Sequence, residues 1–295
     1  DCRCQPAGGP ALRVARSAHS PGGDRMNLRR FVTLETVGAA MVTVLVLVAV
    51  FAPMLAPHDP TIVVAPTFGD PGAPSRAFPM GTDELGRDVL SRIIFGARIS
   101  LTVGVAAMAV TMTIGIAIGL CSGFFGGAVD FILMRFTDLM LSLPPLLLAM
   151  ALVAVLGPSL RTIFIVIGLV SWTSIARVVR AETLAMSTRD FVVGAQALGA
   201  PSRRVIALHI LPNVLPIIVV MAALRTSDTL LLDAALSFLG LGVPPPTPSW
   251  GRMIEEATIY FRTAPWLATF PGLAIFWAVL SFNLLGYGFL RRRSR

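Results

Sequence analysis

Arg225, Asp228 and Asp233 stand inside an otherwise apolar stretch between Val214 and Leu236. A charge held away from water is costly, roughly 2.5–3.5 kcal/mol for one at the centre of a membrane helix, so such groups pair with one another or line a polar path. Arg225 and Asp228 are three positions apart; on a helix they share a face and can pair. Two readings stand side by side. The charges form a structural ion pair inside a helix bundle, or Asp228 or Asp233 faces a passage and meets a cationic group such as an amine. Catalytic signatures are missing. There is no His-Glu-x-x-His pair and no Gly-x-Ser-x-Gly element, and His58 and His209 lie at loop edges while His19 falls in the N-terminal segment. No lysine occurs anywhere, so the chain has no Gly-x-x-x-x-Gly-Lys-Ser/Thr phosphate loop. Cys2, Cys4 and Cys121 supply neither a metal cluster nor a disulfide framework. No metal site and no cofactor are expected in this chain.

The elements that would carry these charges follow from composition. Of 295 residues, 55% are hydrophobic and 14% charged, against roughly a quarter charged in soluble domains; the mean hydropathy is +0.78. Several apolar runs exceed the roughly 18 residues that mark a membrane span. The expected fold is an all-α polytopic membrane protein with six transmembrane helices, at about 31–56, 99–124, 131–156, 162–181, 214–236 and 267–290. Pro57, Pro60 and Pro66 close the first and Gly157–Pro158 the third. Residues 1–25 are rich in Pro, Gly and Arg and lack the apolar core of a signal peptide; they read as a disordered extension to a membrane domain over 26–295.

The net charge of +8 comes from arginine alone. These arginines sit in short loops and tails between apolar runs, a pattern of membrane orientation rather than nucleic-acid binding. Arg29, Arg30, Arg177, Arg180, Arg189, Arg203, Arg204 and the cluster Arg291, Arg292, Arg293 and Arg295 fall on one side. Arginine-rich short segments stay cytoplasmic, which puts both termini and the 182–213 loop there. Gly115, Gly119, Gly123 and Gly127 recur at every fourth position and let a neighbouring helix come close, either within this chain or in a second membrane subunit. Asp130, Arg135 and Asp138 fall near the cytoplasmic start of the third span and are expected at the interface or against neighbours.

The polar loop carries the most information. From Arg189 and Asp190 it runs through Phe191, Val193, Gly194, Ala195 and Leu198 to Gly199, then through Arg203 and Arg204 to Leu211 and Pro212. Gly199 can stop a helix with a positive φ, Pro201 can start the next, and Pro212 is expected to break the chain at the membrane edge. Two short helices joined by a glycine turn result. Their apolar residues need a partner surface or lie on lipid headgroups. On the far side, Pro244, Pro245, Pro246, Ser249 and Trp250 form a proline-stiffened loop, read as a docking surface for an external receptor or as a lid over span ends.

This loop resembles the EAA motif of permease subunits in ATP-binding-cassette importers. Val193, Gly194 and Ala195 occupy the Glu-Ala-Ala places, Gly199 the glycine and Leu211–Pro212 the Leu-Pro, with Val193 not acidic and His209 standing where the motif has isoleucine. The runs Gly81–Arg92 with Gly96–Leu101, and Leu236–Gly242 with Pro245–Gly251, are similar to the entry to the second span and the last outer loop of the dipeptide/oligopeptide (peptide/nickel) branch, C-type subunit. Asp233 stands where that branch usually carries glutamate. The resemblance covers about residues 30 to 290. It implies a non-catalytic, multi-pass subunit in the cytoplasmic (inner) membrane of a bacterium. Its partners would be a second homologous permease, two ATP-binding subunits that hold ATP and Mg, and an extracytoplasmic substrate-binding protein. The 189–212 segment would dock on an ATPase, with Phe191, Ala195 and Leu198 in its groove and Arg189, Arg203 and Arg204 at the rim. The cargo would be di- or oligopeptides, or alternatively haem, a nickel complex or glutathione. Two other classes remain for comparison: a membrane-embedded enzyme, for which no motif is present, and an ion-driven transporter, for which no internal inverted repeat is visible.

Overall fold

The computed structural model describes residues 25–65 and 69–293, with side chains over 35–65 and 69–291. The expectations for the N-terminal extension, Cys2, Cys4, His19 and Pro66, for the side chains of Arg29 and Arg30, and for the last arginines beyond Arg291 lie outside the described side chains or residues. Among the described residues the structure is helical, with no strand. Apolar runs give α1 (Arg25–Val50), α3 (Val89–Phe125), α6 (Leu160–Ser187), α9 (Leu211–Phe238) and α11 (Trp266–Arg293), joined by shorter helices α2 (Ala52–Leu55), α4 (Gly127–Ser142), α5 (Pro145–Leu156), α7 (Asp190–Ala197), α8 (Ser202–Val205) and α10 (Trp250–Ala257). Four continuous helices are long and apolar enough to cross a membrane, over 89–125, 160–187, 202–238 and 266–291, and the α4–α5 pair makes a fifth if counted as one span. The first expected span corresponds to α1, whose described apolar part is Glu35–Val50.

The third expected span is not one helix. α4 and α5 meet at 87°. Leu143-Pro144-Pro145 causes this: a residue before proline is driven out of the helical region, and Leu143 and Pro144 are both extended (ψ 134 and 127). Pro145 then opens α5, where its missing N–H costs nothing.

Pro212 does not break the chain either. α8 continues through a π-helical turn, Ile206–Ile210, directly into α9. In that turn the Leu211 N–H reaches back five residues to the Ile206 carbonyl. The shift in register takes place just before the proline, whose absent donor would otherwise interrupt the ladder. The Asn213 amide adds a bond to the His209 carbonyl at 2.7 Å. α6 also outruns expectation, ending at Ser187.

α3 and α6 form the spine. A Cβ on Gly115 would lie 2.7 Å from Ile175, on Gly119 2.7 Å from the Ala176 carbonyl, and on Gly123 2.7 Å from Thr183. The glycine stripe therefore seats α6 of the same chain, so the first three positions serve internal packing. Gly127 takes no part: it lies beyond α3 at φ +51 with nothing near its missing Cβ.

Candidate functional site

The α7 end of the bundle is built around one anchor. Val192 is fully buried and joins Val205, Ile210 and Val214 against Leu120, Ile175 and Val179 of the spine. Burying such a side chain contributes about 1.5–3 kcal/mol toward holding this end of the chain on the spine. Its neighbours face outward: Phe191 and Val193 are about half exposed and Leu198 is 91% exposed. Arg189, Asp190, Gly194, Arg203, Arg204 and Pro212 are exposed too, while Ala195 and Leu211 are half-buried. Gly199 ends α7 at φ +80. Its N–H donates to the Gln196 carbonyl at 2.9 Å and that of Ala200 to the Ala195 carbonyl at 3.1 Å, the two bonds of a Schellman C-cap. The glycine turn is as expected. The second helix is different: it is the first turn of the long 202–238 element.

In the middle of the bundle the α4–α5 bend leaves a cavity of about 530 Å³, walled by α6 and α9. Leu141, Pro145, Leu146, Val170 and Leu232 make it largely apolar, with Ser171 and Ser174 on one wall and Arg225 and Asp228 on another. Arg225 Nη1 donates to Asp228 Oδ2 at 2.8 Å, so the expected pairing is present. Both remain open, 41% and 58% exposed. Asp233 does not join them. Five residues beyond Asp228, it points about 140° away around the helix, and it is 2% exposed with Oδ1 unbonded. Of the three charges, two reach the cavity and Asp233 is withdrawn from it. Nearer the α7 end, α4 is tied to α6: Arg180 donates through Nε and Nη2 to Asp130, which also accepts from Ser122, and Arg177 donates to Asp138.

At the opposite end sits a helix that hydropathy missed. α10 begins where Ser249 Oγ accepts the Arg252 N–H at 3.3 Å. Trp250 is 2% exposed, its indole N–H donates to the Ile93 carbonyl at 3.0 Å, and the absent side chain of Gly96 leaves room for its ring. Ser249 and Trp250 are therefore buried contacts within this chain and do not present a surface; Pro244, Pro245 and Pro246 stay exposed, with a cis bond between the last two. A buried ionic clamp fixes the arrangement. Asp83 accepts from Arg87 Nε at 2.7 Å and from Arg92 Nη1, and Arg92 Nη2 donates to Glu256 of α10 at 2.8 Å. Glu84 lies 3.6 Å from Arg87, and burial pushes its carboxyl above the ordinary range. Asp59, on the surface, is held below it by the hydroxyl and amide of Thr61. The signal for α10 was present in the sequence, as a capping serine followed by Arg252, Glu255 and Glu256 at helical spacing.

An anchored, outward-facing apolar helix, a long helix leading from it, and a charge-bearing cavity midway, carried on helices long and apolar enough to cross a membrane, define the class as a helical membrane protein. Comparison with known proteins gives the family. A model described as binding-protein-dependent transport system inner membrane component matches residues 115–295, and one for the N-terminal TM domain of oligopeptide transport permease C matches 33–73. The chain is similar to the di/tripeptide transport system permease protein DppC of Pseudomonas aeruginosa (strain UCBPP-PA14), 42% identical over 256 residues, 85% of this chain and 84% of the relative. It is also similar to the dipeptide transport system permease protein DppC of Haemophilus influenzae, 39% identical over 258 residues (85% and 87%), and to the glutathione transport system permease protein GsiD of Pectobacterium atrosepticum, 40% identical over 266 residues (88% and 87%). The chain belongs to the family of binding-protein-dependent transport system inner membrane components. It is a permease of the bacterial inner membrane.

Proposed function

We propose that this permease is half of the passage of an ATP-driven importer of di- or oligopeptides and that it draws on ATP through residues 189–212. In this reading a second, homologous permease completes the passage, and two ATP-binding subunits hold ATP and Mg on the cytoplasmic side, where both termini also lie. An extracytoplasmic binding protein delivers cargo to the α10 end, with Pro244–Pro246 among its contacts. The chain itself is non-catalytic; its lack of lysine supports this, since a phosphate loop requires one. Peptide cargo is supported by the names of the dipeptide relatives, and glutathione by those of the second group.

The observation that carries the coupling assignment is the split of α7 between a buried and an exposed side. Val192 fastens the helix to the bundle while Phe191, Val193 and Leu198 are offered outward. An apolar helix face in water is stable when covered, and a groove in a partner subunit accepts such a face at i, i+4 and i+7. Phe191, Ala195 and Leu198 have that spacing. Replacing Leu198 with Glu leaves the permease fold alone, because the side chain is 91% exposed, and should strip the ATP-binding subunits from the complex. Co-purification of tagged permease with its ATPases reads the result. Full retention, together with normal peptide uptake, would remove the docking assignment.

A further inference from the structure

The Arg225–Asp228 pair stands in the middle of α9, fourteen positions beyond Leu211 and ten before Phe238. A half-exposed ion pair at that depth is badly placed against hydrocarbon. Within this chain it also lacks the enclosure of a structural pair. A structural pair is enclosed by its neighbours; this one opens into a cavity, and among the described residues neither group bonds to any side chain except the other. The single contact commits one Arg225 nitrogen and one Asp228 oxygen. The remaining guanidinium donors and the second carboxylate oxygen are free to meet a ligand carrying both signs of charge. The walls fit the rest of such a ligand: Pro145 and Leu232 are apolar, Ser171 and Ser174 carry hydroxyls, and the volume of about 530 Å³ lies within the roughly 300–1,000 Å³ of small-molecule sites.

We propose that the cavity at the α4–α5 bend is a transit subsite for short zwitterionic peptides, in which Asp228 takes the free α-amine and Arg225 the free α-carboxylate. This rests on the peptide-importer reading. A cargo with both termini free replaces the internal contact with two charge-assisted hydrogen bonds. A cargo with one end blocked leaves one member of the pair without a partner in an apolar chamber, which the pair resists by staying closed on itself. The permease thereby applies a test for free termini that is separate from the receptor's.

The test uses the complete importer, with both permeases, the ATPases and the receptor, in proteoliposomes. The probes are Ala-Phe, N-acetyl-Ala-Phe and Ala-Phe-amide, radiolabelled. Receptor selectivity is constant across permease variants, so ratios between variants report the permease. Asp228→Asn should lower Ala-Phe uptake about tenfold, as loss of one charged contact worth about 1.4 kcal/mol, and should leave N-acetyl-Ala-Phe within about twofold of its already low value. Arg225→Gln should do the same with respect to the amide. If a single variant fails to co-purify with its partners, the doubly neutral Arg225→Gln/Asp228→Asn form, which leaves no unpaired charge, is read instead, and it should lower the free-to-blocked uptake ratio at both ends to the level the receptor alone sets. Equal losses on free and blocked peptides, or no change on any, would overturn the proposal. So would a loss that follows the phosphatidylethanolamine content of the liposomes rather than the peptide termini, since a zwitterionic headgroup would then be the occupant. If the unmodified importer carries none of the three peptides, the cargo reading fails first and this subsite falls with it.

Discussion

Gly199 is the position where one atom should decide whether ATP hydrolysis reaches the membrane. Its φ of +80 belongs to the left-handed region, yet a Cβ placed there would meet nothing within 4 Å. Any penalty for substitution is therefore one of backbone conformation, with no steric collision to relax. For an ordinary L-residue that penalty is about 1–2 kcal/mol, and a β-branched residue sits there worse still. The Schellman turn it closes is a local structure competing with open loop states, so a loss of this size reduces the population of correctly posed α7 roughly 5–30-fold. A graded series follows: Gly199→Asn loses least, because asparagine visits this region, Gly199→Ala loses more, and Gly199→Val most. Gly272→Ala is the control. It lies inside α11 with ordinary φ and open space, where alanine favours the helix by roughly 0.5–1 kcal/mol. The assay is peptide taken up per ATP hydrolysed by the reconstituted importer. The ratio should fall in the order Asn, Ala, Val and hold for Gly272→Ala. Equal ratios for Asn and Val, or an unimpaired Val variant, would refute the claim that the turn sets the pose of α7.

Two further outcomes concern the α10 end. Arg92→Met removes one of the two arginines that bridge Asp83 and Glu256 in a buried cluster, Arg87 being the other; breaking a buried pair from one side costs up to about 3–5 kcal/mol, readable as a lower unfolding temperature of the purified permease in detergent, and a loss below about 1 kcal/mol would mean that Arg87 and Trp250 suffice to hold α10. Because burial raises the Glu84 pKa, the folded form keeps a proton that the unfolded chain releases, so stability from this group rises as pH falls from the raised value toward the ordinary one. Glu84→Gln should accordingly be the more stable form near neutral pH and converge with the parent as pH falls; a gap in melting temperature that does not shrink would contradict the sign.

What could be read beforehand divides by physical cause. Apolar length is an additive property, so hydropathy located the long helices and the class of the protein. Direction is not additive: a window over 131–156 averages the same whether the chain is straight or bent through 87° at Pro144–Pro145. The cavity follows from that bend and was invisible for the same reason. Gly199 was legible because one backbone conformation excludes nearly every other residue. Pro212 was misread because its rule is local, and the π turn that absorbs the missing donor lies in the five residues before it. Asp233 could have been separated from Asp228 by helical angle alone, whereas the burial of Trp250 depends on Gly96, more than a hundred and fifty positions away.

The misreading of Pro212 bears on how the two ends of the passage communicate. A break there would have made 189–212 a hinged appendage, and movement of a docked α7 would have been lost at the joint. In the proposed reading, the uninterrupted course from Ser202 to Phe238 would instead make the docking segment the near end of a lever. Arg225 is twenty-three residues from Ser202, about 35 Å along the axis. Val205, Ile210 and Val214 seat this helix on the spine between α7 and the cavity, so on the same reading a tilt imposed at α7 would turn about that contact and move Arg225 and Asp228 relative to the bend. The π turn lies within this seat. A looser hydrogen-bond ladder allows a small change of helix direction without breaking the rod, so the tilt can be taken up where the helix is held rather than at the charged pair.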